Sequence, residues 1–436
     1  MTTPAVSIDL RTSRAIRDRR TARTFDEAPV AEDALARILD AARWAPSAGN
    51  AQPVRLVVLR RAADRATLRA LEAIAQESKR ISSYWVAMFR PSGVREYVQD
   101  LGSTPVAIGV VADPARSGAH AGARDGHLVA AAAAIQNMKL QVHAEGLGAV
   151  LYTHWIEEKA KMLLDIPRTW SFVGLLCLGV PIRLETKERR AATHRKSLQQ
   201  IAFADRFGAT SAWPAPVEPR DELDVADAIR ARRSVRRFGD APLDDTIVAL
   251  LLESARWAPS AGNFQPWRFV VVRDRAAREK LQRATDLARE ANAGLGIAGE
   301  PAVDLAGAPL VVAITADPQK VGPHVHGEMT HVIGASLAMQ NLWLQATAVG
   351  LGAVLVRQLA GDLARAALGV PAGEDLVGIM AIGEPAETPP APPRIAIDEF
   401  ARDHGYDGRA GEDPGIAPLP AVWRSERGIY EDGRRE

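Results

Sequence analysis

Two groups of arginines, each with a hydroxyl among them, are the residues in this chain best equipped for chemistry. Arg19, Arg20, Thr21 and Arg23 form one group, and Arg232, Arg233, Ser234 and Arg236 the other. Planar guanidinium donors beside a short hydroxyl donor make the environment a phosphate monoester requires. Downstream of each group lies the same word, A-R-W-A-P-S-A-G-N-x-Q-P, at Ala42 to Pro53 and at Ala255 to Pro266; the copies differ only at Ala51 and Phe264. Asn50 with Gln52, and Asn263 with Gln265, offer side-chain amides of the kind the edge of a flat polar ring needs. Each feature alone has a plainer reading. Arginines at a helix end are usually solvated, and a Pro-Ser-Ala-Gly-Asn loop is ordinary turn chemistry. Their recurrence in the same order is what gives them weight.

The arginine groups and the repeated word sit 213 residues apart. Further on, Thr104 to Pro114 answers to Ala308 to Pro318, Gln136-Asn137 to Gln340-Asn341, and Gly146-Leu147-Gly148 to Gly350-Leu351-Gly352, now at an offset of 204. The first copy therefore carries about nine extra residues between Leu59 and Thr104. A unit of roughly 200 residues is too long for a solenoid repeat and has the size of a domain. Two readings follow: independent domains on a string, or a homodimer fused into one chain.

Composition limits the options. The 436 residues are 47% hydrophobic and 25% charged, with 54 basic against 53 acidic side chains, so a nucleic-acid partner is not expected. Cys177, the single cysteine, lies in an apolar run and reads as a core residue; absence of disulfides fits a reducing cytoplasm. No secretory leader and no membrane-spanning run is evident.

Apolar spacing predicts a helix before each repeated word, ended by Pro46 or Pro259. Strands are expected at 56–59, 106–111, 172–178, 269–272, 310–315 and 376–382, and long apolar helices at 128–144 and 332–349 that run into Gly-Leu-Gly as a helix cap. Residues 1–206 read as the first half, 207–222 as a linker with Pro214, Pro216 and Pro219, 223–400 as the second half, and 401–436 as a polar tail that wraps the surface or stays mobile.

Taken together, R-R-S-x-R-x-F, A-P-S-x-x-N-x-Q-P-W, G-L-G and L-G-x-P resemble the FMN-dependent nitroreductase family, twice over, from Ile16 to Phe203 and from Ala228 to Phe400. Members are typically homodimers of an α+β fold with two FMN sites at the interface. The resemblance therefore implies a pseudo-dimer within one chain, each half a small, mostly antiparallel sheet flanked by helices. It assigns Arg232, Arg233, Ser234, Arg236 and the late Arg394 to one FMN phosphate, and Arg19, Arg20, Thr21, Arg23 and the late Arg195 to the other. Pro46 and Ser47, like Pro259 and Ser260, would approach the ring held by the opposite half. Asn50, Gln52, Asn263 and Gln265 would lie near the ring or its ribityl chain. The backbone amides of Gly146, Leu147 and Gly148, and of Gly350, Leu351 and Gly352, would face the ring's redox edge.

The halves depart from each other. Thr21 replaces the serine, and Val54 stands where the second half keeps Trp267. The span from Arg60 to Ser103 carries Tyr84, Trp85, Phe89 and Tyr97, and the resemblance implies that it lids the substrate. The two pockets are thus expected to be inequivalent, both holding flavin or one having lost it. His324, His326 and His331 match no tight metal-ligand spacing, and neither a metal nor an essential protein acid or base is expected. The resemblance implies a cytoplasmic oxidoreductase in which NADH or NADPH transiently reduces FMN and a nitroaromatic, quinone or similar small planar electrophile reoxidises it. Alternatives are an FMN-dependent dehydrogenase or oxidase of a dedicated substrate, and a non-catalytic flavin store or regulator. No membrane partner is expected, and further oligomerisation is left open.

Overall fold

A computed structural model describes residues 9–89, 100–117, 125–153, 155–182, 195–219, 221–295, 301–320 and 329–406. The first half runs α1 (Thr12–Asp18), α2 (Glu32–Arg43), β1 (Val54–Arg60), α3 (Arg61–Phe89), β2 (Val106–Ala112), α4 (Gly126–Ala144), β3 (Gly148–Tyr152) and β4 (Ser171–Gly179), and it ends on β5 (Ala202–Ala204). The second half repeats the plan: α5 (Val225–Ala231), α6 (Asp245–Arg256), β6 (Trp267–Val272), α7 (Arg275–Gly294), β7 (Leu310–Ala316), α8 (Thr330–Ala348), β8 (Gly352–Val356) and β9 (Asp375–Gly383), ending on β10 (Ala401–Asp403). The expected strands and long helices are in place, and the nine-residue surplus falls in α3, with 29 residues against 20 in α7.

Each half forms a five-stranded sheet, ordered β10-β1-β2-β4-β3 and β5-β6-β7-β9-β8. The pairings are antiparallel except at one edge, where β1 meets β10 and β6 meets β5 in parallel. Those edge strands are exchanged: β5 closes the first half into the second half's sheet, and β10 returns the favour. Ala401–Asp403 is thus an edge strand and not the start of a surface tail; residues beyond 406 lie outside the described part.

Helices α4 and α8 lie against each other at the centre, and the largest core cluster draws on both halves. They are apolar on nearly every face because both sides are covered, one by the partner helix and the others by the sheets and by α2 or α6. Their polar residues pair across the seam. Gln136 Nε2 donates to Asn341 Oδ1 at 2.6 Å, and Gln340 Nε2 donates to Asn137 Oδ1 at 2.8 Å. Each asparagine also donates to a backbone carbonyl of its own half, Ala41 or Ser254, at 2.9 Å. The two bonds obey one pseudo-twofold relation, the isologous pattern of a symmetric dimer. Beads on a string would not share a core or a buried polar network, so the fused-dimer reading holds.

Candidate functional site

Each α4-type helix ends in a Schellman motif built by Gly-Leu-Gly. The Leu147 N–H donates to Val142 O at 2.9 Å and the Gly146 N–H to His143 O at 3.0 Å; Leu351 and Gly350 repeat this on Ala346 and Thr347. Gly146 and Gly350 stand at φ 73° and 80°, the left-handed conformation this cap requires. These four amides are therefore committed to helix caps, a correction to their expected place at a ring edge. The last glycine has a different duty. A Cβ on Gly352 would stand 2.7 Å from Val235 Cγ1, so its absence lets β8 pass directly beneath the arginine loop. There the Val235 N–H donates to Ala353 O at 3.1 Å, and Ala22 does the same on Ala149 at 3.2 Å. The motif positions the arginines.

The repeated word folds as a tight turn with three residues at positive φ in each copy: Gly49, Asn50 and Gln52, and Gly262, Asn263 and Gln265. Such backbone is costly for a glutamine, and the serine hydroxyls hold it closed. Ser47 Oγ accepts from the Gln52 N–H at 3.0 Å, and Ser260 Oγ from the Gln265 N–H at 2.9 Å. The glutamine side chains act as clamps between the halves. Gln52 Oε1 accepts from the Ile395 N–H, and Gln265 Oε1 from the Lys196 N–H, both at 2.9 Å. Neither glutamine lines a cavity described below. Asn50 is similarly engaged, donating to Pro393 O and accepting from Arg394 Nη1. These contacts draw the late arginines in. Arg394 reaches Ala45 O and Trp44 O, with its guanidinium 5.2 Å from the Trp44 ring, and Arg195 reaches Ala258 O and Trp257 O, 5.6 Å from the Trp257 ring.

Two cavities result, each built from both halves. One, with about 800 Å³ of open space, gathers Arg19, Arg20, Thr21, Arg23 and Arg195 of the first half with Trp257, Pro259, Ser260 and Asn263 of the second. The other, about 580 Å³, sets Ser234 and Arg236 of the second half opposite Pro46, Ser47 and Gly49 of the first. Val354, Leu355, Trp343 and Met339 wall it on one side and Val129 and Ala130 on the other. Arg233 lies over Trp44 at 5.7 Å and donates to the carbonyls of Arg230 and Arg232.

Arg232 and Arg394, which are not among the residues lining the second cavity, are short of negative charge. Arg232 is 3% exposed, its guanidinium 4.6 Å from the Trp343 ring, and its Nε and Nη1 have no hydrogen-bond partner. Burial, with Arg394 and Arg233 alongside, pushes it down to about 9. Arg394 is pushed down to about 10 by burial and by Arg233 and Arg43, and its Nε also lacks a partner. Buried cations of one sign without a counter-ion favour an anion.

Sequence reasoning missed several wall residues. Trp343, Met339, Val354 and Leu355 belong to no short motif; their signal was only their place on the long helix and the strand after Gly-Leu-Gly. Arg357 was missed too. It bonds Asp125 of the other half at 2.5 Å, and its first-half counterpart is Thr153, so this cross-half ion pair closes one cavity only. Tyr97, His324 and His326 lie outside the described residues, as do the side chains of Tyr84, Trp85 and Phe89. His331 bonds Asp375 at 2.6 Å, and among the described residues no group of three or more His, Cys, Asp or Glu is placed to hold a metal. Cys177 is fully buried in the core, where burial pushes its thiol up to about 12. Among the described residues no helix is long and apolar enough to cross a membrane.

The sequence profile of the nitroreductase family matches residues 16–180 and again 229–384. The chain belongs to the nitroreductase family. The two matched segments correspond to the two halves just described. The chain is similar to a protein named 5,6-dimethylbenzimidazole synthase from Rhodospirillum rubrum, 38% identical over 189 residues that cover 40% of this chain and 86% of that protein. It is also similar to a protein named NADH dehydrogenase from Thermus thermophilus, 33% identical over 188 residues, 38% of this chain and 88% of that protein. Among solved structures it resembles an FMN-dependent nitroreductase from Clostridium difficile R20291, with 28% identity, 38% of this chain and 90% of that chain covered, and a TM-score of 0.31. These relatives are each about one half long.

Proposed function

We propose that this chain is an FMN-dependent oxidoreductase that takes hydride from NADH or NADPH and delivers it to a small planar electrophile, such as a nitroaromatic or a quinone. The observation that carries this is the pair of cavities in which an arginine loop of one half faces the Pro-Ser-Ala-Gly-Asn loop of the other. FMN fits the residues present: its phosphate has the sign that Arg232 and Arg394 lack among their neighbours, and its flat ring suits an apolar slot. Arg232, Arg233, Ser234, Arg236 and Arg394 would hold one phosphate, and Arg19, Arg20, Thr21, Arg23 and Arg195 the other. Pro46, Ser47, Pro259, Ser260 and Asn263 would bound the rings. When bound, FMN supplies the hydride-carrying ring. The chain's own contribution is to grip the phosphate, to exclude water with Val354, Leu355, Val129 and Ala130, and to leave one face open. No protein acid or base is needed. The likeness to a protein named NADH dehydrogenase supports a nicotinamide reductant.

Anaerobic addition of NADH or NADPH to the FMN-loaded protein tests this. Loss of the flavin band, restored stoichiometrically by a quinone or nitroaromatic, is the expected result. Bleaching by neither nucleotide would refute the reductase reading and leave oxidation of a dedicated substrate or flavin storage.

A further inference from the structure

A further cavity adjoins the one that holds Ser234 and Arg236, and Arg357 lines both. It lies between the last turns of α7, the start of α8, the stretch after β8 and the start of β9. Water reaches about 760 Å³ of it, within the roughly 300–1,000 Å³ of small-molecule sites. Leu287, Met329, Val332 and Leu376 give it apolar walls. Its charged side chains are already engaged. Arg357 donates to Asp125 at 2.5 Å and to Val377 O at 2.8 Å, Asp375 bonds His331 at 2.6 Å, and Arg365 donates to the carbonyls of Glu374 and Pro371. Gln358 is different. It lines the same cavity and is 4% exposed, yet neither its Nε2 nor its Oε1 has a hydrogen-bond partner. Most buried polar side-chain atoms in folded proteins are bonded, so a carboxamide unmet at both ends calls for an explanation. Both atoms are closed to solvent, so water does not supply the missing bonds.

We propose that this cavity is a ligand site separate from the flavin cavities, and that Gln358 selects what enters it: an uncharged, largely apolar molecule with a cis-amide edge, such as a lactam. That edge presents one N–H and one C=O side by side, the complement of the glutamine's own C=O and NH₂. An ion of either sign finds its counter-charges taken, because Asp125 holds Arg357 and His331 holds Asp375. Gln358 stands between this cavity and a smaller one lined by Val354 and Val356, so turning its side chain, without moving backbone, brings the carboxamide to the ligand. The shared wall at Arg357 makes the ligand the substrate of that half's flavin. This role rests on the flavin reading, whereas the binding does not. At the same register the first half carries Thr153 and His154, neither of which repeats the carboxamide, so the site belongs to one half.

The test titrates the full-length, FMN-loaded protein with 2-quinolinone, a planar lactam, and with N-methyl-2-quinolinone, which lacks the N–H. The lactam should bind once per chain and at least tenfold tighter than its methylated analogue, because a site built to bond an N–H rejects a ligand without one. Gln358→Leu should weaken the lactam at least tenfold and the analogue less than twofold, which erases the preference. It should not lower the melting temperature of the free protein, since no native bond is lost. Ala288→Trp, which fills the cavity from α7, should abolish binding of both probes. Absence of lactam binding to wild type, equal affinity for the two probes, or a lactam isotherm unaltered by Gln358→Leu would overturn the proposal. So would a melting temperature lowered by more than about 2 °C in Gln358→Leu, the mark of a bond already made within the fold. If NADH and NADPH both fail to bleach the flavin while lactam binding still depends on Gln358, the site stands and the reductase reading falls.

Discussion

Replacing Gly352 by alanine should move one arginine loop and leave the other untouched. Gly352 is not at positive φ, so an alanine is acceptable to the backbone and the perturbation is steric alone. Its Cβ would meet Val235 Cγ1 at 2.7 Å, Cβ at 2.8 Å and Cγ2 at 3.0 Å. Because all three valine carbons crowd the point, rotating χ1 exchanges one clash for another. The loop must retreat by most of an ångström, a strain of about 1–3 kcal/mol. That displacement carries Arg232, Ser234 and Arg236 away from a bound phosphate. Loss of one or two charge-assisted bonds, at about 1.5–3 kcal/mol each, implies roughly a hundredfold weaker FMN binding at this cavity. The assay is fluorescence titration of apoprotein with FMN, with urea unfolding beside it. One of two binding steps should weaken while the first half's step serves as an internal control. Val235→Gly in the same chain removes the obstructing carbons, so the two substitutions should couple by about 1–3 kcal/mol. Unchanged stability and binding in Gly352→Ala, or no coupling with Val235→Gly, would refute the packing argument.

Other expectations follow from the same structure. Arg236→Ala should reduce retained FMN from two per chain to one; retention of two after gel filtration would remove Arg236 from the phosphate site. Asn137→Ala strands Gln340 Nε2 and the Ala41 carbonyl in a dry seam. At about 1–3 kcal/mol per buried group, this should lower unfolding free energy by about 2–5 kcal/mol in urea, and a loss below 1 would count against the network. Burial holds His127 and His143 below the ordinary 6.5, against the pull of nearby acids such as Asp125 and Asp18. Neutral in the fold, both bind protons more readily when unfolded. Their contribution is complete above about pH 6.5 and is lost on acidification below it. The urea midpoint should fall between pH 7.5 and pH 5.5, and less so in His127→Asn/His143→Thr; an equal fall in both would refute the assignment.

The fold was legible because duplication printed it twice. Eleven shared residues in the repeated word, and matching apolar helices, fixed element order and pairing of the halves. Two features escaped. The exchanged strands Ala202–Ala204 and Ala401–Asp403 are three residues long, too short for a period-two pattern. The sites were legible as loops but less so as roles. Gly146 was legible as a helix cap, but that Gly352 makes room for Val235 is something only three-dimensional contact reveals. Gln52 and Gln265 carry amides suited to a ring and spend them clamping the opposite half. Trp343 lies in the middle of an apolar helix, where sequence alone cannot separate a cavity wall from core.

Flavin stoichiometry tests the account most directly. Chains unfolded, stripped, refolded with excess FMN and filtered should carry two FMN each by absorbance, one for every arginine loop facing the other half. A protein that remains colourless, or that keeps its flavin when both Arg23 and Arg236 are replaced by alanine, would contradict it.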